Sequence, residues 1–346
     1  MFQPRLHTHI VGIVMMLSLC TISLFAGRGD KSGTAAAPEL LIPIGARAIA
    51  QGGAPLAMMS GIESLFWNPA GLARTDRVAS AMFSHTSYLA DIGIDYVAIG
   101  GHVFESSYLA LTIKSLSIGG IPVTTEDQPD GTGEVTSPTF LTIGGSFSRL
   151  VSERISVGLT SNFVYEKMAQ VSATTFAFNA GVQYAGLGGI DGLSVGVVIR
   201  NIGPALKYDG AGLERVVEID DALRSHSTLK LEAASADLPS TIEVGLGYTT
   251  AVSSQGQLNV SSTFQNNNFS EDEYKLGAEY VFDKNVFIRA GYAFASEGEG
   301  QEYLFGFAGG IGIRSMIGTF EVDVNYAYRS ARYFGGNHII EMIVGF

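Results

Sequence analysis

From Arg77 to the end of the chain, apolar and polar residues alternate with period two over stretches of about ten to fourteen residues. Ile155, Val157, Leu159, Phe163 and Tyr165 fall on one parity, and Ser156, Gly158, Thr160, Asn162 and Glu166 on the other. Ile242, Val244, Leu246 and Tyr248 repeat the pattern, as do Phe320, Val322, Val324, Tyr326 and Tyr328. A helix would scatter each set around its surface, whereas a strand sorts it onto two faces. Fourteen such stretches begin near residues 77, 91, 107, 138, 154, 171, 192, 239, 256, 272, 284, 301, 318 and 337. The even number suits an antiparallel closed sheet with both ends on one side. Connections alternate accordingly: 149–153, 253–255, 283 and 315–317 are short, and 119–137, 202–238, 266–271 and 296–300 are mostly longer. The last stretch runs His338, Ile340, Met342, Val344, Phe346, a terminal aromatic strand of the kind that barrel assembly machinery reads.

Composition decides what solvent such a sheet meets. Hydrophobic residues make up 46% of the 346, charged ones 16%, and the mean hydropathy is +0.24. Yet after residue 26 no apolar run approaches the ~20 residues of a spanning helix. Apolar content without long runs means interleaving, and the membrane structure that uses interleaving is a barrel, which satisfies every backbone group by closure. The 43 glycines, 14 tyrosines and 20 phenylalanines fit strand curvature and interface positions. A soluble β-sandwich or propeller is the alternative, but no blade-length repeat is visible. The expected class is therefore all-β: a transmembrane antiparallel β-barrel of about fourteen strands in contact with outer-membrane lipid.

Residues 1–26 read as a signal peptide, with Arg5 before an apolar core of residues 10–19 and a loose small-residue cleavage site at Leu24-Phe25-Ala26. Cys20, the single cysteine, lies within it, and bulky Leu19 argues against a lipoprotein site there. A mature chain from residue 27 would carry no thiol and no disulfide. Residues 27–76 break the alternation: a Gly/Ala/Ser lead is followed by an apolar stretch too short to span. Ser60 is placed to cap a short helix over residues 61–66 that ends before Asn68-Pro69. This segment is expected to be a plug folded into the lumen, ahead of a barrel domain over residues 77–346.

Charge sharpens the picture. The net charge of −12 excludes a basic nucleic-acid interface. Glu166, Arg200, Glu243, Lys275, Glu279, Arg289, Arg314, Glu321, Asp323, Arg329 and Glu341 sit on the polar parity of their strands. An Arg or Lys facing lipid near the midplane would cost about 2–4 kcal/mol, so the set is expected to face the lumen, as an ion-pair lattice rather than a substrate path. A plugged lumen of this size excludes wide porin-type diffusion. The acidic runs at 271–273 and 218–221 lack the spacing and central glycine of a calcium loop, and the six histidines lack ligand spacing. Gly119-Gly120 and Gly309-Gly310 sit within strand patterns, so they suggest no phosphate site. No nucleophile elbow or Ser/His/Asp cluster stands out, so neither an enzyme nor a cofactor is expected.

Gly45-Ala46-Arg47-Ala48, Gly52-Gly53-Ala54 and Trp67-Asn68-Pro69-Ala70-Gly71-Leu72-Ala73 together resemble the N-terminal signature of the PorV/PorQ family. The resemblance continues through Asn201-Ile202-Gly203-Pro204, Leu276-Gly277-Ala278-Glu279-Tyr280, Arg289-Ala290-Gly291-Tyr292 and Val324-Asn325-Tyr326-Ala327-Tyr328 to His338. It implies a FadL-like barrel of fourteen strands in the bacterial outer membrane, with an N-terminal hatch carrying the Asn-Pro-Ala element. It also implies an accessory of type IX secretion that binds cargo proteins or secretion components through extracellular loops, chiefly 119–137 and 202–238. Leu206, Tyr208, Leu213, Val216, Val217, Ile219 and Leu229 would give the longer loop an apolar patch. The alternative is a FadL-like conduit for hydrophobic small molecules, for which Leu56, Met58, Met59, Leu65 and Phe66 are the expected pocket lining. One departure is that relatives carry acidic residues just before Asn-Pro-Ala, where this chain has Met59-Ser60-Gly61-Ile62-Glu63.

Overall fold

The computed structural model describes residues 33–218, 226–295 and 303–346; the expected signal peptide lies outside these. Fourteen strands form one closed antiparallel barrel. They are β1 Ala79–Ser87, β2 Gly93–Phe104, β3 Ser107–Ser117, β4 Thr139–Leu150, β5 Ile155–Met168, β6 Val171–Ala185 and β7 Leu193–Ile202. The second half comprises β8 Thr241–Ala251, β9 Gly256–Asn267, β10 Glu273–Phe282, β11 Val286–Ala295, β12 Phe305–Ile317, β13 Phe320–Ala331 and β14 Asn337–Gly345. Each strand pairs with its sequence neighbour, and β1 closes on β14 in a register running from Ser80↔Gly345 to Ser87↔His338. Every strand starts within about four residues of its expected position. Chain entry and chain end share one rim, the terminal rim; the other is the loop rim. The turn expected at 315–317 belongs instead to β12, and the chain reverses at Gly318, whose φ of 65° suits a tight turn that a side chain would strain.

The alternation sorts side chains as the pleat requires. On β6, Phe176, Phe178 and Val182 face outward, exposed, while Ala173, Thr175, Ala177, Asn179 and Gln183 face inward, buried. Phe83, Leu111, Leu159, Ile288, Ile311 and Ile340 continue the outer apolar surface around the wall. Such a belt has no counterpart on a soluble monomer, where large exposed apolar patches cause association. Two residues of the expected outer set depart from it. Leu246 and Tyr248 are buried outside the wall, because the β6–β7 connection folds back and packs Leu187 and Ile190 over them and Leu193. Alternation assigns a face, but not what covers it.

The seam between first and last strands is fastened at the terminal rim. The backbone N–H groups of Val78 and Ala79 both donate to the Phe346 carbonyl, and Phe346 N–H donates back to Ala79. The Phe346 ring meets Phe320 edge to face at 6.1 Å. Arg77 crosses β14 to reach Glu321 and Asp323, and Gly345 leaves room for it, since a Cβ there would collide with the Arg77 side chain. Arg314 completes this rim cluster, its Nε donating to Asp323 Oδ1 at 2.7 Å. Phe346→Glu should therefore lower the yield of assembled, heat-modifiable barrel severalfold with export unchanged. Quantitative blotting of outer-membrane and periplasmic fractions checks this, and normal membrane levels would show the aromatic to be incidental.

Candidate functional site: the lumen and its mouth

Residues 37–76 run inside the closed sheet. They form three 3-10 turns, Pro38–Leu41, Gly61–Ser64 and Pro69–Ala73, and one helical turn, α1 Ala46–Ala50. Helices this short do not persist alone, because nucleation fixes several residues for one or two hydrogen bonds. The wall supplies what propensity lacks. Glycines on the inner face let the segment's backbone lie directly on the strands: an added Cβ would strike Pro69 and Ala70 from Gly158, Asn68 from Gly181, Ala57 from Gly196 and Leu56 from Gly245. On the opposite wall it would strike Gln51 from Gly277, Gln51 and Gly52 from Gly291, and Ala50 from Gly310. The helix expected over 61–66 is only the 3-10 turn Gly61–Ser64, and Ser60 makes no side-chain cap. Gly61 enters with φ of 65°, and the chain closes on Ser64, whose hydroxyl donates to the Gly61 carbonyl at 2.7 Å.

Polar groups then pin the segment at each bend. Asn68 is fully buried; its Oδ1 accepts from Ala70 N–H at 3.1 Å, and its Nδ2 donates to the Val182 carbonyl at 3.2 Å. It thus caps the turn Pro69–Ala73 and ties it to β6, with Pro69 at the first position, where no N–H is needed. Ala70 and Gly71 follow, both buried, and Ser148 accepts from Ala73 N–H at 3.3 Å. Trp67, the single tryptophan, donates through Nε1 to the Ile44 carbonyl at 3.0 Å, joining the two halves of the segment. Gln183 donates to the carbonyls of Leu56 and Met59, both at 3.0 Å. Lys114 Nζ donates to those of Glu39 and Ile42, both at 2.7 Å.

The charges expected in the lumen fall into separate groups. On the terminal-rim side of α1, Glu279 accepts from Arg47 at 3.0 Å and from Arg289 Nε at 2.7 Å. Arg47 also reaches Glu63 at 3.1 Å; burial would lower its pKa, but Glu279 and Glu63 outweigh that and raise it, so it stays charged. Arg289 continues to Asn325, Asn325 to Glu341 Oε1, and Glu341 Oε2 accepts from the Ala46 N–H opening α1. Arg200 pairs with Glu243 at 3.0 Å, with its guanidinium 4.2 Å from the Phe66 ring centre. Arg314, Glu321 and Asp323 belong to the terminal rim. Arg329 lies at the loop rim, 3.5 Å over the Phe305 ring, and Glu166 accepts from Tyr208. Arg47, Glu63, Lys114 and Glu39 were not foreseen, since three of them precede the periodic region and Lys114 finds only backbone carbonyls.

Above this layer opens a cavity of about 570 Å³, floored by Ile49, Gly52, Phe66 and Trp67 and walled by Leu41, Ile42, Leu116 and Phe140. Tyr88, Tyr303, Phe305 and Arg329 stand at its rim. A second void of about 40 Å³ lies between Phe66, Leu40, Lys114 and Arg200. Of the five residues expected to line a pocket, Phe66 alone reaches the larger cavity and Leu65 the smaller. Leu56 and Met59 pack against Val198 and α1, and Met58 lies over Gly247, because the glycine seats draw these side chains to the wall.

The two long loops stand over the mouth. Residues 118–138 carry a two-rung ribbon, Ile121–Pro122 with Val135–Thr136, so Gly119-Gly120 lies in a loop, outside any strand. Residues 203–240 carry Leu206–Lys207 paired with Ser235–Ala236, then a longer hairpin of Glu214–Glu218 with His226–Lys230. The apolar patch expected on this loop is split. Leu206 is buried with Leu238 against Ala37, Leu40 and Val164, and Tyr208 packs beside them, whereas Val216 and Leu229 are exposed; Ile219 lies outside the described residues. Among the described residues no group of three His, Cys, Asp or Glu side chains is placed to hold a metal ion.

The chain matches, over residues 26–236, the family model described as type IX secretion system protein PorV. No individually curated protein matches it. Among solved structures it resembles the CymD monoaromatic hydrocarbon channel at 15% identity and TM-score 0.54, over 88% of this chain and 98% of that one. It also resembles a Pseudomonas aeruginosa FadL homologue at 13% identity and TM-score 0.53, over 88% and 98%. The Pseudomonas putida toluene transporter TodX follows at 10% and 0.54, over 86% and 96%. At such identities the likeness is one of fold.

Proposed function

Since the chain belongs to the PorV family of type IX secretion proteins, a family of outer-membrane barrels, we propose that it serves secretion as a binding scaffold rather than as a passage. With both termini on the periplasmic side, as in bacterial single-chain barrels, the loop rim is extracellular. In this reading residues 37–76 are a hatch, seated backbone to backbone on the wall, and the mouth cavity ends on it. Secreted cargo or secretion-system components then bind from outside, and the protein performs no chemistry of its own.

The observation that carries this reading is the hairpin Glu214–Glu218/His226–Lys230. Its backbone is paired from Glu214↔Lys230 to Glu218↔His226, and Val216 and Leu229, one on each face, are 70% and 53% exposed. Long loops on a rigid scaffold are where binding residues concentrate. A second reading, transport of a hydrophobic small molecule, is favoured by the apolar walls of the 570 Å³ cavity.

Replacing residues 214–230 with a short turn spares Leu206 and Leu238, which pack the mouth, and its cost to barrel folding is small because loop entropy grows only logarithmically with length. The shortened barrel should assemble and lose at least about tenfold in captured cargo or secretion components in pull-downs. Full capture would refute the hairpin's role. Hydrophobic ligand extracted from the purified wild-type barrel would favour transport.

A further inference from the structure

Residues 36–43 cross the extracellular half of the lumen as a strap. Ala36 N–H donates to the Asp237 carbonyl at 2.9 Å, tying the strap to the long loop. Ala37 and Leu40 pack on Val164, Ala173 and Ala177 of the wall. Lys114 holds the Glu39 and Ile42 carbonyls. The strap's other side, Leu41, Ile42 and Pro43, walls the 570 Å³ cavity, while Leu40 walls the smaller void. It therefore stands, with Phe66, between the two spaces.

The side chain of Glu39 has no place in the hatch contacts above. It is 4% exposed, and neither of its carboxyl oxygens meets an N–H or O–H donor. Leu40 beside it packs on Val164, two residues before Glu166 on the same inner face of β5, and the Glu166 charge acts on the Glu39 carboxyl group. Glu166 is itself buried, with Oε1 lacking a donor and Oε2 accepting from Tyr208 of the long loop. Lys114 attracts Glu39 but spends two of its protons on carbonyls, and Arg200, across the smaller void, is committed to Glu243. Two neighbouring carboxyl groups in a buried site cannot both be ionised without strong repulsion; a proton on one of them removes it.

We propose that residues 36–43 are a lid on the mouth cavity, latched by the proton that the buried Glu39 carboxyl group carries beside Glu166. With the proton in place the strap stays docked and the two spaces remain separate. Loss of the proton drives the strap from the wall, frees the Lys114 ammonium and merges the spaces into one larger cavity open to the outside. Burial, then the Glu166 charge, pushes Glu39 up to about 7 in the docked state. Below about 7 the docked state thus binds more protons than the released one, and docking weakens as pH rises from the ordinary carboxyl range to about 7.

The test uses the whole purified barrel between pH 5 and 8, and it does not depend on any secretion partner. Two readouts apply: acrylamide quenching of Trp67 on the cavity floor, and maleimide labelling of Leu40→Cys in a Cys20→Ser background, normalised to an exposed Leu229→Cys control. The labelling ratio should climb by roughly tenfold per pH unit from pH 5 to about 7. Quenching of Trp67 should rise over the same interval. In Glu39→Gln, whose amide stays neutral throughout, both profiles should be flat and low. Glu166→Gln removes the neighbouring charge but not the burial, so it should lower the pH at which the rise ends, and heat-modifiable migration identifies which variants are folded. A flat wild-type profile, or an unchanged profile in either folded variant, overturns the latch.

Discussion

Glu279→Ala is expected to loosen residues 37–76 from the wall while leaving the barrel closed. The carboxylate accepts from Arg47 at 3.0 Å, Arg289 at 2.7 Å and Asn259 Nδ2 at 2.9 Å, and it is 1% exposed. Removing it leaves two largely buried guanidinium groups with less charge compensation than they have now. Breaking a buried ion pair from one side costs about 3–5 kcal/mol, more than the pair contributes net, because the remaining charge is stranded. Glu63 and Asn325 offset part of this, since Arg47 and Arg289 keep those contacts. The penalty falls on the seating of residues 37–76. The wall holds through main-chain pairing, including Glu279↔Arg289, which alanine preserves. Heat-modifiable migration should therefore persist while Trp67 emission shifts red and conductance in planar bilayers rises. The triple variant Glu279→Leu, Arg47→Met, Arg289→Met should restore the shielded tryptophan, because a buried triad is often replaceable by apolar groups of similar volume. Unchanged Trp67 shielding in Glu279→Ala would show that the glycine seats alone hold the segment.

Much of the wall was legible in the sequence because a two-residue period is local: many inward polar residues sit between outward apolar neighbours, as Glu243 does between Ile242 and Val244. What joins residues 37–76 to the wall is not local. Arg47 and Glu279 lie 232 positions apart, and the Ala46 N–H finds Glu341 across 295. Arg47 sits in a stretch with no period to say which way it points. Leu246 and Tyr248 were placed on the correct face, but the cover that Leu187 and Ile190 give them depends on how a turn folds back. Leu206 and Tyr208 looked like loop surface for the same reason, yet they pack the mouth beside the strap. The glycines were the most ambiguous signal. In the sequence they fit strand curvature; in the fold, Gly158, Gly196, Gly277 and Gly291 on the inner parity mark where the backbone of residues 51–70 rests.

That distinction makes Gly158→Val the second large effect. By local propensity valine should help, since glycine within a strand is worth roughly 0.5–1 kcal/mol less than a residue with a Cβ. Gly145 is the matched control: it faces outward on the neighbouring β4, and the nearest atom to an added Cβ is a Leu111 methyl at 4.0 Å. Gly145→Val should be neutral or slightly stabilising. At Gly158 the added Cβ would meet the backbone of Pro69 and Ala70, which no rotamer change can move aside. Overpacking a well-filled site costs about 1–3 kcal/mol, and a backbone obstacle puts this case at or beyond the upper end. The turn Pro69–Ala73 must lift from the wall. Asn68 then loses its hold on the Val182 carbonyl, and Trp67 loses the anchor that follows it in the chain. Both variants should assemble as barrels, but Gly158→Val should show the larger Trp67 quenching and the faster amide exchange across residues 67–73. Equal quenching and exchange in the two variants would refute a backbone seat at Gly158.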